Sequence, residues 1–162
     1  MQSKTNNLLN IASELCEDGK FVDALKYYDK ILNTEPNSTK ANIDKGVTLQ
    51  NLERISQAIQ MYKNVLNTEP ENIDALINMG SALHTLGKYT DAISYYNIVL
   101  RLDKKNILAL TYKGLSLGES GDISMAIKYF TKALSIDCDY DLAQISLDTA
   151  KNLCNLASHM KA

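Results

Sequence analysis

Few side chains in the sequence could act as a nucleophile, a general base or a metal ligand. The candidates are two histidines, His84 and His159, and three cysteines, Cys16, Cys138 and Cys154. Nucleophilic catalysis needs a base and an orienting group beside the nucleophile, and a thiolate zinc site needs closely spaced pairs such as CxxC. The cysteines are odd in number and far apart, and His84 is expected to be a polar surface group. The sequence therefore predicts a protein that is not an enzyme and that needs no metal and no cofactor.

An acidic run before the last predicted helix is the second candidate for chemistry. Asp137, Asp139 and Asp141 alternate with other residues, as acids do at the start of a calcium loop. Such a loop requires Gly at its sixth position and Glu at its twelfth. Those positions hold Leu142 and Asp148, so we interpret the run as a turn in which Asp139 or Asp141 caps the following helix.

The composition is that of an ordinary globular chain with nearly balanced charge. The 162 residues include 17 basic and 19 acidic side chains, the net charge is −2, and 45% of the residues are hydrophobic. This balance excludes a disordered chain and a broad basic surface for nucleic acid. The polar N-terminus has no secretory signal pattern, and no apolar run approaches the roughly 18 residues of a membrane span. We therefore expect a cytoplasmic protein that binds neither nucleic acid nor membranes.

The chain repeats itself with a period of 34 residues. Small, aromatic and aliphatic side chains recur in one common phase. These columns are Ala24, Ala58, Ala92 and Ala126; Gly46, Gly80 and Gly114; Tyr28, Tyr62, Tyr96 and Phe130; and Leu32, Leu66, Leu100 and Leu134. Internal repeats of this length indicate stacked structural units. The period divides the chain into units 5–38, 39–72, 73–106 and 107–140, and positions are counted below from the first residue of each unit.

Each unit has the apolar spacing of two helices. In the third unit, apolar residues recur at intervals of three and four from residue 73 to 86, stop at Gly87 and Lys88, and resume from 89 to 102. This is the period of a helix and not the alternation of a strand. The small residues at positions 8 and 20 would let two helices cross closely, and the aromatic residue at position 24 would fill the space beside the crossing. The pattern therefore predicts an all-α fold.

These columns resemble the tetratricopeptide repeat, a 34-residue helix–turn–helix unit with Gly or Ala, Ala, an aromatic residue and Pro at fixed offsets. The resemblance extends over residues 5–140. It implies an all-α, right-handed solenoid of four such units, in a single domain over residues 1–162, with a C-terminal capping helix at 141–158. The chain departs from the pattern at Glu53, where glycine is usual, and at Asn42, where a bulky side chain is usual.

The resemblance also implies a peptide-binding groove. In this family the first helix of each unit lines a concave surface, mainly with positions 2, 5, 6, 9, 12 and 13. Carried over to this chain and its last helix, the groove residues are Leu9, Asn10, Ser13, Ile43, Asp44, Val47, Ile77, Asn78, Ser81, His84, Thr111, Tyr112, Leu115 and Ile145. We interpret the fifth position as a partly exposed apolar ladder, and the alternative is that it only supports packing within each unit. The charged groove residues are acidic on balance, so the expected partner is an apolar or mildly basic protein or peptide segment.

The carboxylate clamp of chaperone-binding members does not carry over to this chain. That clamp uses Lys and Asn in one unit, Asn in the next, and Lys and Arg in a third, and only Asn78 matches it. Burying six apolar groove side chains at roughly 1.5 kcal/mol each gives about 9 kcal/mol. Because association removes about 4–15 kcal/mol, we expect weak, roughly micromolar binding.

The predicted C-terminal helix carries two apolar stripes. They consist of Leu142, Ile145, Leu153 and Leu156, and of Ala143, Leu147, Ala150 and Cys154. A capping helix needs only one stripe against the fourth unit, so the other either lines the groove or meets another chain. We assign Ala143, Leu147 and Cys154 to a candidate oligomer face. Homodimerisation through this helix or through the groove is the alternative function.

Overall fold

The structure, a computed structural model, describes the backbone of residues 2–159 and the side chains of residues 4–155. Within these residues the chain forms nine helices and no strand, so the all-α prediction is confirmed. The helices are α1 (Gln2–Glu17), α2 (Phe21–Thr34), α3 (Thr39–Asn51), α4 (Ile55–Thr68), α5 (Ile73–Thr85), α6 (Tyr89–Leu102), α7 (Ile107–Glu119), α8 (Ile123–Leu134) and α9 (Asp141–His159). The predicted stripe residue Leu156 lies outside the described side chains.

Helices that follow each other in the chain pack together within two compact units, Met1–Ala82 and Leu83–Ala162. In the N-terminal unit, α1 packs on α2, α2 on α3, and α3 on α4. In the C-terminal unit, α6 packs on α7, α7 on α8, and α9 on both α8 and α7. Four of the helices begin 34 residues apart, namely α3, α5, α7 and α9. The division of the chain into four repeat units stays a prediction.

A residue with left-handed backbone lies in the turn between the two helices of each pair. Gly19, Gly87 and Gly121 have φ angles of 73°, 71° and 94°, and nothing lies within 4 Å of the point where a Cβ would stand. Glycine is therefore favoured there for its backbone freedom and not for lack of space. Glu53 adopts the same conformation, with a φ of 58°, which costs a residue with a Cβ about 1–2 kcal/mol. The turn between α3 and α4 is therefore the strained member of the series.

Close helix crossings account for the glycines at position 8. A Cβ on Gly114 would stand 2.5 Å from Cε1 of Phe130, and a Cβ on Gly46 would overlap the ring of Tyr62. Only glycine therefore lets α7 approach α8, and α3 approach α4, at these points. The predicted steric role of the small side chain at position 8 is confirmed for Gly46 and Gly114.

The last helix packs on α8 through the stripe that contains its alanines. Ala143 is buried against Leu110 and Ala133, and Leu147 is buried in a cluster with Phe130. Alanine lets α9 lie close to α8, which explains why this stripe faces the core. The assignment of Ala143 and Leu147 to an oligomer face is therefore corrected, because both belong to the core of the chain itself.

The other stripe of α9 is open to solvent. Ile145 and Leu153 are 65% and 50% exposed, and Leu142 is also exposed. Cys154, the third residue of the candidate oligomer face, is exposed as well. The uncovered apolar surface of α9 therefore lies on the stripe of large aliphatic side chains.

Candidate functional site

The predicted apolar ladder at the fifth position is mostly buried. Leu9 and Thr111 are buried, and Ile77 keeps only 6% of its surface exposed. Ile43 is half-buried, and Ile145 is largely exposed. Leu9, Ile77 and Thr111 therefore support helix packing and do not form a floor for a partner, which corrects the expectation for these three residues. The physical reason is that burying large apolar side chains against neighbouring helices removes them from water, which is favourable.

The remaining predicted groove residues keep accessible surface. Asn10, Ser13 and Val47 are exposed, and Asp44, Asn78, Ser81, His84, Tyr112 and Leu115 are half-buried. Two of the polar groups are engaged on their own helices. The carboxylate of Asp44 lies 3.1 Å from the ammonium group of Lys40, and Nδ2 of Asn78 donates to the carbonyl of Asp74 at 2.9 Å.

In the N-terminal unit, polar side chains at position 12 contact the buried aromatic residue at position 24. Sγ of Cys16 lies 3.8 Å from the phenol oxygen of Tyr28 and 3.3 Å from Oγ1 of Thr48. The phenol of Tyr62 donates a hydrogen bond to Oε1 of Gln50. Burial raises the pKa of both phenols well above the ordinary value, so they remain neutral hydrogen-bonding groups. We call Cys16–Tyr28 and Gln50–Tyr62 the polar pairs.

His84, at position 12 in the C-terminal unit, makes a different polar contact. Its Nδ1 lies 2.9 Å from Oγ of the buried Ser116. The rings of His84 and Tyr89 lie 5.2 Å apart. Burial lowers the pKa of His84, and the negative charge of Glu119 opposes this effect without reversing it. His84 is therefore a neutral hydrogen-bonding residue at pH 7.

Between α7 and α8 the residue types cannot form a polar pair, and a cleft opens instead. Position 12 is Gly118, which has no side chain, and position 24 is Phe130, which has no hydroxyl group. The cleft has a volume of about 310 Å³. Its apolar lining consists of Leu115, Ile123, Ala126, Phe130, Ile145, Ala150 and Leu153, and we call this site the apolar cleft.

The three helices contribute different parts of the apolar cleft. Ala126 and Phe130 of α8 are buried and form its closed base. Ile145 and Leu153 of α9 form a wall that is largely open to solvent. Glu119, an exposed residue of α7, also lines the cleft. The arrangement can hold an apolar group and can attract a positive charge beside it.

The apolar cleft brings together only two of the predicted groove residues, Leu115 and Ile145. Sequence reasoning missed Leu153, although the spacing of groove positions, continued along α9, reaches it at position 13. It also missed that Gly118 and Phe130 together remove the polar pair from this crossing. Each is an exception in its own column, and both exceptions fall in the same predicted unit.

Two other kinds of site are absent from the described part of the chain. No described helix combines the length and the apolar character needed to cross a bilayer. Nor do the described residues include a group of three or more His, Cys, Asp or Glu side chains placed to hold a metal ion.

The comparison with known families agrees with this helical arrangement. Two sequence profiles described as Tetratricopeptide repeat match residues 52–111 and 109–140, and together they span more than half of the chain. The chain belongs to the tetratricopeptide repeat family. Repeats of this family form protein-interaction modules that are typically non-catalytic. No curated protein matches the sequence.

Solved tetratricopeptide structures share the fold. A crystal structure of the MamA protein is 23% identical, with a TM-score of 0.79, and the match covers 98% of this chain and 87% of that one. YrrB, described as a TPR protein with an unusual peptide-binding site, is 22% identical at a TM-score of 0.70, covering 91% and 76%. The first TPR of Spaghetti (RPAP3), bound to the HSP90 peptide SRMEEVD, is 20% identical at a TM-score of 0.68, covering 72% and 93%. This tetratricopeptide chain is therefore an all-α solenoid of the same type.

Proposed function

We infer that this tetratricopeptide protein is a non-enzymatic module that docks a peptide or protein segment on the open side of its first helices. The observation that carries this proposal is the apolar cleft, whose α9 wall exposes Ile145 and Leu153. Apolar patches on the surface of a folded domain usually mark interaction sites. The peptide bound to the RPAP3 repeat and the peptide-binding site of YrrB support the class of ligand.

The chemistry of the docking surface favours an apolar or mildly basic segment. In the C-terminal unit, apolar side chains line the cleft together with the carboxylate of Glu119. In the N-terminal unit, Val47 is exposed and Asp74 adds negative charge along the first helices, whereas Asp44 is paired with Lys40. A segment that ends in a carboxylate would be repelled by these acids, so a carboxylate clamp is not part of the proposal.

The expected affinity is weak. Covering Leu115, Ile123, Ile145 and Leu153 at roughly 1.5 kcal/mol each gives about 6 kcal/mol before losses. Association and ordering remove about 4–15 kcal/mol, so polar contacts along the segment must supply the rest. Binding in the micromolar range or weaker is therefore the reasonable expectation.

A peptide-display selection tests this function. The immobilised chain should enrich sequences with aromatic or aliphatic residues next to Lys or Arg, and the enriched peptides should then be titrated by fluorescence anisotropy. Ile145→Ser should weaken their binding. The matched control is Val22→Ser, because Val22 is 61% exposed on α2, a second helix of its pair. No enrichment, or equal affinity in both variants, would contradict the proposal.

Homodimerisation remains a second candidate, on a different stripe of α9 from the one assigned by the sequence. The exposed Leu142, Ile145 and Leu153 favour it, because an uncovered apolar patch usually marks an interaction site. Light scattering at several concentrations should then show a mass that rises with concentration in the wild type and stays monomeric in Ile145→Asp. A monomer at every concentration in the wild type would exclude this candidate.

A further inference from the structure

We propose that the apolar cleft is an anchor pocket for one aromatic or large aliphatic side chain of a partner peptide that carries Lys or Arg beside it. This inference rests on the proposed docking function and specifies its ligand. The site depends on two residues, Gly118 and Phe130, that depart from the polar pairs found elsewhere in the chain.

In the polar pairs, a side chain at position 12 fills the space where two helices cross. At position 12, Gln50 accepts from Tyr62, Cys16 lies beside Tyr28, and His84 bonds to Ser116. Gln50 and Cys16 each occupy the space next to a buried ring. Gly118 leaves that space empty, and Phe130 offers no hydroxyl group that would need a partner or hold water in the site.

The size and lining of the cleft fit an apolar side chain. A cavity of about 150 Å³ lined by Leu, Ile and Phe can hold benzene, so the roughly twofold larger cleft of about 310 Å³ accommodates an aromatic ring. A Cβ on Gly118 would stand 3.7 Å from Cβ of Ala126, which is ordinary contact distance. An entering ring would therefore rest on Ala126 and Phe130 and would cover Ile145 and Leu153 of the open wall.

The polar residues of the cleft lining specify a positive charge next to the anchor. The hydroxyl groups of Ser146 and Thr149 already donate to carbonyls of their own helix, at 2.7 Å and 2.9 Å. Glu119 is exposed, and its charge reaches the cleft and also His84. No basic side chain is among the described residues that line the cleft. A Lys or Arg flanking the anchor is therefore favoured, and an acidic flank is disfavoured.

A peptide is a better occupant than a second copy of the chain. A stable protein interface buries about 1,200–2,000 Å² of surface, far more than a cleft sized for one side chain provides. One inserted side chain with a charged neighbour matches the dimensions and the charge of the site. Self-association through the cleft is an outcome that the experiment below would reveal.

The test uses the whole chain and two capped tripeptides, KWK and EWE. The chain contains no tryptophan, so the fluorescence of the tripeptide reports its burial directly. We expect KWK to bind the wild type, with methyl chemical-shift changes at Leu115, Ile123 and Ile145. Gly118→Leu, which fills the cleft, should weaken binding by about 10- to 100-fold, as expected for loss of one buried side chain. Gly118→Ala, which adds one methyl group at contact distance, is the matched control and should keep most of the affinity.

A second pair of variants makes the result independent of the folding of Gly118→Leu. Leu153→Gln removes an exposed apolar side chain from the cleft wall without adding charge and should weaken KWK binding to a similar extent. Glu119→Gln should remove the preference for KWK over EWE while an uncharged probe, indole, still binds. Thermal midpoints of all variants, measured by circular dichroism, identify any variant that is unfolded.

Several results would overturn the inference. These are equal KWK affinity in the wild type and in folded Gly118→Leu or Leu153→Gln, equal binding of EWE and KWK, and concentration-dependent self-association that Gly118→Leu abolishes. Its failure is distinguishable from failure of the docking function. Selected peptides that bind regardless of Gly118→Leu would overturn only the anchor pocket. Binding of KWK in the cleft when no longer peptide can be selected would overturn only the docking of extended segments.

Discussion

The N-terminal unit and helices α7 to α9 of the C-terminal unit share one helical pattern but differ at one kind of crossing. In the N-terminal unit, Gln50 and Cys16 reach the phenols of Tyr62 and Tyr28 and close the space beside them. Beside α8, Gly118 and Phe130 make no such contact and line the apolar cleft. The two regions therefore differ in the side chains at positions 12 and 24, and this difference is what the following variants test.

The largest predicted change in the free energy of unfolding comes from substituting one of two glycines in α7. Gly114→Ala should lower the free energy of unfolding by about 2–3 kcal/mol, because its Cβ would overlap Phe130. Gly118→Ala should leave it unchanged or raise it by up to about 1 kcal/mol, since alanine favours a helix and fits the space. Urea unfolding followed by circular dichroism measures both. Equal destabilisation would mean that the space beside Gly118 is not free.

Transplanting a polar pair should close the apolar cleft. Gly118→Gln combined with Phe130→Tyr reproduces the residue types of Gln50 and Tyr62. The double variant should gain about 1 kcal/mol over the sum of the single variants, as expected for one hydrogen bond, and should no longer bind KWK. Urea unfolding in a double-mutant cycle measures the coupling. Additive single effects together with retained KWK binding would show that position 12 does not control the cleft.

A smaller effect is expected at the turns within helix pairs. Glu53→Gly should raise the free energy of unfolding by about 0.5–1 kcal/mol, because glycine relieves the left-handed strain but orders at a higher entropic cost. Gly87→Glu, at the corresponding turn before α6, should lower it by a similar amount. Thermal melts of both variants test the pair. A loss of stability in Glu53→Gly would show that its side chain matters more than its backbone.

The smallest predicted effect is the change in stability that accompanies protonation of His84. Because burial holds the pKa of His84 below 6.5, the unfolded chain takes up a proton before the folded chain does. The stability that the neutral imidazole contributes is therefore present above pH 6.5 and is lost as the pH falls through the folded pKa. Urea midpoints between pH 7.5 and 5 should decline more steeply in the wild type than in His84→Gln. The same slope in both proteins would contradict this role for the His84–Ser116 contact.

The fold was predictable because its causes are local and repeated. Apolar spacing of three and four residues marked each helix, and the steric role predicted for Gly46 and Gly114 appears directly in the crossings. The left-handed turn at Glu53 also follows from its place in the column of Gly19 and Gly87, although glutamate itself does not favour that conformation.

The candidate site was predictable only in part, because burial depends on which side of a helix its neighbours occupy. Both stripes of α9 are apolar, so the periodicity alone could not show that Leu147 faces α8 while Ile145 and Leu153 face solvent. For the same reason the sequence could not show which residues at the fifth position are buried, such as Ile77, and which are exposed, such as Ile145. Gly118 was visible in the sequence, but its effect depends on the adjacent Phe130 and on the course of α9.

Three buried phenols make it possible to follow the unfolding of the chain by its own absorbance. Of the nine tyrosines, Tyr28, Tyr62 and Tyr96 have pKa values that burial raises well above the ordinary one. In an alkaline titration their tyrosinate absorbance should be delayed until the helices separate. The ultraviolet spectrum thus reports, without any label, the pH at which unfolding exposes these phenols.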